Sequence, residues 1–270
     1  VSDLRARIET DFQWQSAVRE ALALVPDTFK VSLADGGQYV VRYFSEARDE
    51  LGAQRRFEPV LMESLASLAF VPTLYAHNAL GVVYRWVDGQ GVTQWHDALL
   101  TQLAAQLKTL HQFSQQEQAH LHAIPHLDLM QHIFFLLQRI PPEAQSQWLL
   151  ALDALPAYKE SALTTLGHHD LHHHNIVLTP DNRLIWLDWE YASWSNPAFD
   201  LASVIVNNEL DQSQQQLLWQ HYLADNTVIK KTTQLKKLTT SYIPWVRLLN
   251  DLWRAVKAVK EERKHVECNY

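Results

Sequence analysis

The chain has 270 residues, a formal net charge of −7 and a 47% share of hydrophobic residues. That length accommodates one large domain or two smaller lobes. The acidic balance argues against general nucleic-acid binding, which needs a basic surface, and suits solubility or a cationic small molecule instead.

Leu4, Ile8, Phe12, Val18, Leu22 and Val25 fall near helical spacing, which predicts a helix over 3–24. Residues 29–33 and 38–43 read as strands, joined by Asp35-Gly36-Gly37, where glycine tolerates a positive φ. A helix is predicted over 46–69 with a break or fresh start at Pro59, then strands at 73–75 and 81–86 around His77-Asn78. Asp88-Gly89-Gln90-Gly91 reads as a connector. After it the pattern turns helical, with Leu99, Leu100, Leu103, Leu107 and Leu110 forming an apolar stripe over 97–113. Further helices are predicted over 127–139 and 145–160, a short β excursion over 176–187, and helix again from about 212. The single cysteine, Cys268, allows no internal disulfide, which fits a cytoplasmic setting. The opening Val1-Ser2-Asp3-Leu4-Arg5 lacks signal-peptide character, and no apolar run approaches the roughly 18 residues of a membrane span.

The chemistry concentrates in Gly167-His168-His169-Asp170-Leu171-His172-His173-His174-Asn175-Ile176-Val177-Leu178, followed by Leu184-Ile185-Trp186-Leu187-Asp188-Trp189-Glu190. Pro180-Asp181-Asn182 is turn chemistry. A hairpin centred between Asp181 and Asn182 would pair Leu178 with Ile185 and Ile176 with Leu187. That register sets Asn175 opposite Asp188, with Cβ atoms roughly 4.5–5.5 Å apart. An amide oxygen and a carboxylate at that separation can share one hard cation, and Asp170 precedes them on a polar loop. The spacing from Asp170 to Asn175 is that of a kinase catalytic loop.

This stretch resembles the aminoglycoside phosphotransferase and choline kinase family, whose loop reads His-Gly-Asp-Leu-His-x-x-Asn; here His169 stands where the glycine is usual. Asp188-Trp189-Glu190-Tyr191-Ala192 is similar to the choline, ethanolamine and thiamine kinase branch, and Phe199-Asp200-Leu201-Ala202 to a further block of the family. The resemblance implies an α+β, protein-kinase-like two-lobed fold. Its N-terminal nucleotide-binding lobe, a small antiparallel sheet with helices, would cover 1–87. The larger, mainly helical catalytic and acceptor-binding lobe would cover 88–270. It implies ATP and Mg2+ as cofactors, Asp170 as catalytic base with His168 ordering the loop, Asn175 and Asp188 as metal ligands, and Asp200 as a brace. Backbone groups of Arg85, Trp86 and Val87 would meet adenine, and Leu110-His111 resembles the end of the first C-lobe helix.

In the N-lobe, Val40-Val41-Arg42 resembles the strand whose Lys or Arg holds the phosphates, with Glu58 as ion-pair partner ahead of Glu50 and Glu63. The glycine-rich cover expected just before residue 30 is instead Val25-Pro26-Asp27-Thr28, without glycine. Five histidines within 168–174 invite a zinc reading, but no cysteine accompanies them, and the family loop accounts for His168 and His172. Of ten tryptophans, Trp189, Trp245 and Trp253, with Glu190 as carboxylate, are the candidates for an acceptor pocket that binds a cation. The expected activity is phosphorylation of a small cationic alcohol, choline or thiamine first, by a monomer or homodimer. Alternatives are an aminoglycoside or macrolide kinase, and a pseudokinase that keeps the fold as a binding module.

Overall fold

The computed structural model describes residues 2–45, 51–158, 163–229 and 232–267. These fall into two compact units. One contains residues 2–45, 54–93 and 173–190; the other contains 51–53, 94–172 and 191–267 in their described parts. Cys268 and Glu50 lie outside the described residues, as do parts of the helices predicted over 46–69 and 145–160.

The first unit opens with α1 (Ser2–Asp11) and a five-stranded antiparallel sheet in the order β1-β2-β3-β5-β4. Its strands are β1 (Val18–Val25), β2 (Thr28–Leu33), β3 (Gln38–Tyr43), β4 (Leu74–Asn78) and β5 (Gly81–Arg85). Ile8 of α1 and Phe12 just beyond its end pack on Val31, Leu33, Tyr39, Val41, Tyr43 and Val83, one face of the sheet. The helix expected over 3–24 therefore stops at Asp11. Val18-Arg-Glu-Ala-Leu-Ala-Leu-Val25 is rich in helix formers, yet it pairs along β2 as an edge strand, with register shifts between Val18 and Glu20 and between Ala23 and Val25. Ladder bonds and burial of Val18 and Ala21 outweigh intrinsic propensity there. The β2–β3 hairpin follows the sequence reading: Gly36 adopts φ 91°, and the Gly37 N–H donates to Asp35 Oδ1 at 2.9 Å. Helix α2 (Glu58–Ser64) carries Pro59 in its first turn, where a missing N–H costs nothing.

The expected boundary at 87/88 differs from the observed partition, which places 173–190 in the first unit. Strand β6 (Gln90–Gly91) pairs with β8 (Ile176–Leu178), and β8 pairs with β9 (Leu184–Trp186). The Trp186 N–H also donates to the Phe70 carbonyl at 2.8 Å, and their rings lie 4.5 Å apart. The hairpin is thus joined to the N-terminal segments by backbone bonds that no local pattern reveals.

The second unit is mainly helical. Helix α3 (Asp97–Gln116) buries Leu99, Leu100, Leu103, Leu107 and Leu110, the stripe seen in the sequence, together with His111. Helices α4 (Leu129–Leu137) and α5 (Pro142–Asp153) follow. Strand β7 (Thr165–Gly167) pairs with β10 (Ser193–Ser195). Helix α6 (Pro197–Asn207), which the periodicity reading passed over, starts from an Asn196 cap and packs on α8 (Thr232–Glu267). Helix α7 (Gln212–Leu223) packs on α3 and opens with an Asp211–Gln214 capping box. No helix among the described residues is long and apolar enough to cross a membrane.

Candidate active site

Arg42 points away from the α1 core. Directly paired residues share a face, and Arg42 lies opposite Val82 on β5 and Thr28 on β2. Its guanidinium meets Glu58 at 2.9 Å, Asp188 at 3.0 Å and Glu190 at 3.0 Å. Arg55, which the sequence reading missed, meets Glu190 at 2.6 Å and donates to the Tyr43 carbonyl at 3.0 Å. The Tyr84 hydroxyl donates to Glu58 at 2.7 Å. Arg42, Arg55, Glu58 and Glu190 are all buried. The cluster thus sets two guanidinium groups against three carboxylates, one negative charge in excess. Burial opposes the Arg42 charge, but Glu58, Asp188 and Glu190 outweigh it and hold the proton more firmly than usual. Burial pushes the Glu58 carboxyl above its ordinary range, against Arg42 and Tyr84. Of the competing partners, Glu63 lies elsewhere, beside His77.

The hairpin over 176–187 is present, but its register differs by one residue from the expected one. Ile176 pairs with Trp186, Val177 with Ile185 and Leu178 with Leu184. The Leu187 N–H donates to the Asn175 carbonyl at 2.7 Å, so Leu187, not Asp188, lies opposite Asn175. The cause is a three-residue loop. Thr179 N–H bonds the Arg183 carbonyl at 2.9 Å, and Asn182 takes φ 60°. Asp188 falls beyond the ladder. Its φ of 57° turns the chain into the 3-10 turn Trp189–Tyr191, and its carboxylate meets Arg42. Asn175 closes another 3-10 turn, His173–Asn175, and is buried.

In the second unit, the stretch before Asp170 is held from several sides. His168 is fully buried, and the Asp170 N–H donates to its Nδ1 at 3.3 Å. His169, in the place where the resemblance expects glycine, has φ 65°. Its N–H donates to Asp200 Oδ1 at 2.8 Å, and its ring hydrogen-bonds Ser195 at 2.7 Å and Ser193 at 3.0 Å. The space for that ring comes from Gly167, where a Cβ would lie 2.3 Å from His169 Nε2. Asp200 Oδ2 also meets His111 at 3.1 Å, and His111 bonds the Tyr222 hydroxyl at 2.8 Å. Burial works against the Asp200 charge, but the His111 hydrogen bond and the neighbouring imidazoles bring its pKa down to about 2. Burial pushes the His169 imidazole below its usual range, against the pull of Asp200. The Asp170 side chain is 33% exposed and lies 3.7 Å from His172. Ser193, Ser195 and Tyr222 carried no motif, and only the fold brings them to the loop.

His169→Gly is expected to lower stability by about 1–3 kcal/mol. Glycine relieves the left-handed backbone, roughly 1–2 kcal/mol, but gives up the ring's hydrogen bonds and its edge contact with Phe199 at 5.4 Å. Chemical unfolding of both proteins checks this; a variant more stable than wild type would show that strain dominates.

Of the four expected acceptor residues, Trp189, Glu190 and Trp245 are buried and Trp253 is half-buried. Trp189 is 2% exposed, and its indole N–H donates to the Trp186 carbonyl, so it serves the core of the first unit. Glu190 is taken up by Arg42 and Arg55 as an internal counter-charge. Trp245 is buried against Tyr158 and donates to the Pro156 carbonyl at 3.1 Å. Trp253 is half-buried, and its N–H reaches the Tyr191 hydroxyl at 3.0 Å. Apolar bulk decides these positions, and sequence spacing does not separate a packed indole from a presented one. In the adenine segment, Arg85 is exposed, while Trp86 and Val87 are half-buried. Trp86 donates to Asp88 at 3.0 Å, and its ring lies 3.8 Å from Lys30 Nζ. Among the described residues, no group of three or more His, Cys, Asp or Glu is placed to hold a metal ion.

A family model described as "Phosphotransferase enzyme family" matches residues 24–231. A curated relative from Mycoplasma pneumoniae, named "Uncharacterized protein MG356 homolog", is 26% identical over 179 residues, 66% of this chain. The match spans 60% of that relative's length. Among solved structures, choline kinase LicA from Streptococcus pneumoniae superposes with a TM-score of 0.70 at 18% identity, covering 97% of this chain and 91% of LicA. LicA in complex with AMP gives a TM-score of 0.64 at 18% identity, covering 96% and 98%. Macrolide 2'-phosphotransferase MphH from Brachybacterium faecium gives 0.60 at 20% identity, covering 96% and 94%.

Proposed function

The chain belongs to the phosphotransferase enzyme family, and on that premise we propose that it transfers the terminal phosphoryl group of ATP to the hydroxyl of a small cationic alcohol, with choline and thiamine as the first candidates. The observation that carries this reading is the buried Arg42–Glu58 pair with Asp188 on the same guanidinium. A cation fixed by a helix carboxylate on the central strand of the N-terminal sheet is the arrangement that kinases use to hold nucleotide phosphates. The AMP bound to LicA supports a nucleotide as the donor.

Each residue then has a chemical task. Asp170 accepts the proton of the acceptor hydroxyl, and His168 and the Asp200-braced His169 fix the backbone that carries it. Arg42 would offer guanidinium N–H donors to the phosphate oxygens, although its charge is already balanced by Glu58, Asp188 and Glu190. Asn175 and Asp188 are the residues that would hold Mg2+. Their chemistry fits that ion: one amide oxygen and one carboxylate with a 38% exposed side chain, leaving room for phosphate and water ligands. Bound there with ATP, Mg2+ would supply positive charge to the phosphate oxygens. Rate enhancement comes from positioning and from this fixed electrostatic environment.

A thermal-shift titration with MgATP, followed by a coupled assay over choline, ethanolamine, thiamine, aminoglycosides and macrolides, tests the reading. Stabilisation by MgATP and turnover with one cationic alcohol are expected. Stabilisation without turnover on any acceptor would favour the binding-module alternative. A second reading, an antibiotic kinase, is favoured by one observation: Trp189, Glu190 and Trp245 are buried, so they do not present an aromatic cage for a small cation. Turnover confined to an aminoglycoside or macrolide would establish it.

A further inference from the structure

We propose that Lys30 is a second phosphate-binding cation, one that supplies from a side chain what this chain lacks in glycine-loop amides. The inference deepens the nucleotide reading above and rests on it. On β2, Thr28 pairs with Arg42 and Lys30 with Val40. Positions two apart on a strand share a face, so Lys30 projects on the Arg42 side of the sheet, while Val31 and Leu33 turn into the α1 core. One strand repeat, roughly 7 Å, separates the two positions, well within the span of a triphosphate and a lysine side chain.

Three further observations point the same way. The β1–β2 turn is Pro26-Asp27, between the paired Val25 and Thr28. Proline offers no N–H, and Asp27, at φ 61°, adds a carboxylate where a glycine loop would offer bare amides. Next, Arg42 and Arg55 are outnumbered by Glu58, Asp188 and Glu190, so this cluster adds no net positive charge for a polyphosphate. Finally, Lys30 Nζ rests 3.8 Å over the ring of Trp86, whose own N–H donates to Asp88. Trp86 belongs to the segment assigned to adenine, so Lys30 is held at one end of the path that a nucleotide would take to Arg42. A cation on a partly exposed indole is held less strongly than one hydrogen-bonded to phosphate. Lys30 therefore leaves Trp86 for the phosphates when the nucleotide binds.

Calorimetric binding of MgATP and of adenosine to wild type, Lys30→Met and Lys30→Arg decides the matter. Lys30→Met should weaken MgATP binding by about tenfold or more, the scale of one charge-assisted hydrogen bond, and leave adenosine binding unchanged. Lys30→Arg should restore most of the MgATP affinity. Equal MgATP affinity in wild type and Lys30→Met would overturn the proposal while leaving the kinase reading intact. Parallel losses for MgATP and adenosine would overturn it too, by showing a packing effect. A wild-type protein that does not bind MgATP at all would remove the nucleotide reading itself. Should Lys30→Met fail to fold, Lys30→Gln replaces it in the same comparison.

Discussion

Arg42→Met is expected to destabilise the protein by about 3–5 kcal/mol, the cost of stranding buried charge. The variant would leave Glu58 and Glu190 in a buried cluster with Arg55 as the remaining cation, and Asp188 without its partner. Arg55 already serves Glu190, so Glu58 bears most of the loss. Glu58 carries a pKa raised by burial even with Arg42 present. A carboxyl raised in the folded state favours folding below its unfolded pKa and loses that contribution as pH rises through the folded value. Removing Arg42 raises it further, so the deficit should be largest at neutral pH and shrink as acid protonates Glu58. Urea unfolding at neutral and mildly acidic pH measures both effects. Adding Glu58→Gln to Arg42→Met should recover part of the loss. An Arg42→Met protein as stable as wild type at neutral pH would show that the cluster does not bear on folding.

Asp170→Ala should reduce turnover by about 10²–10⁴-fold, the usual contribution of a positioned general base, with MgATP affinity nearly unchanged. The Asp170 side chain is 33% exposed, so the loss of turnover should exceed any loss of stability, which urea unfolding of the variant measures alongside. Asp188→Ala offers the contrast. It should weaken MgATP binding, yet leave Arg42 and Arg55 balanced by Glu58 and Glu190 and so cost little stability. Single-turnover kinetics with the acceptor found in the screen separates the two variants. Full turnover by Asp170→Ala would remove the base assignment.

Much of what the proposal rests on could be read from the chain because the residues involved sit in local patterns. The Asp170–Asn175 spacing, the hairpin with its terminal Asp188, and the Arg42 strand each lie within a few residues of their own signals. The Arg42–Glu58 pair was within reach because a strand and the next helix are close in sequence. What escaped reading depends on distant partners. Arg55 meets Glu190 across 135 positions, and no periodicity encodes that contact. The β1 strand was misread because its residues favour helix and only the β2 ladder overrules them. The register error came from loop length: Pro180-Asp181-Asn182 serves a two-residue or a three-residue turn, and one residue decides which side chain faces Asn175. The burial of Trp189 and Trp245 was not legible either, because a large apolar ring fills a core as readily as it lines a pocket.

The pairing of Gly167 with His169 also constrains how this loop can evolve. A side chain at 167 would displace the imidazole from its present place, since the Cβ would fall 2.3 Å from its Nε2, and the ring would give up its serine hydrogen bonds. Once position 169 loses its ring, the main obstacle at 167 goes with it, leaving the Asp200 carboxyl carbon at 3.1 Å as the next neighbour. The two sites are therefore epistatic, and the order of substitution matters. The histidine ring takes its present place at least cost when 167 is glycine, and 167 is filled at least cost once that ring is gone.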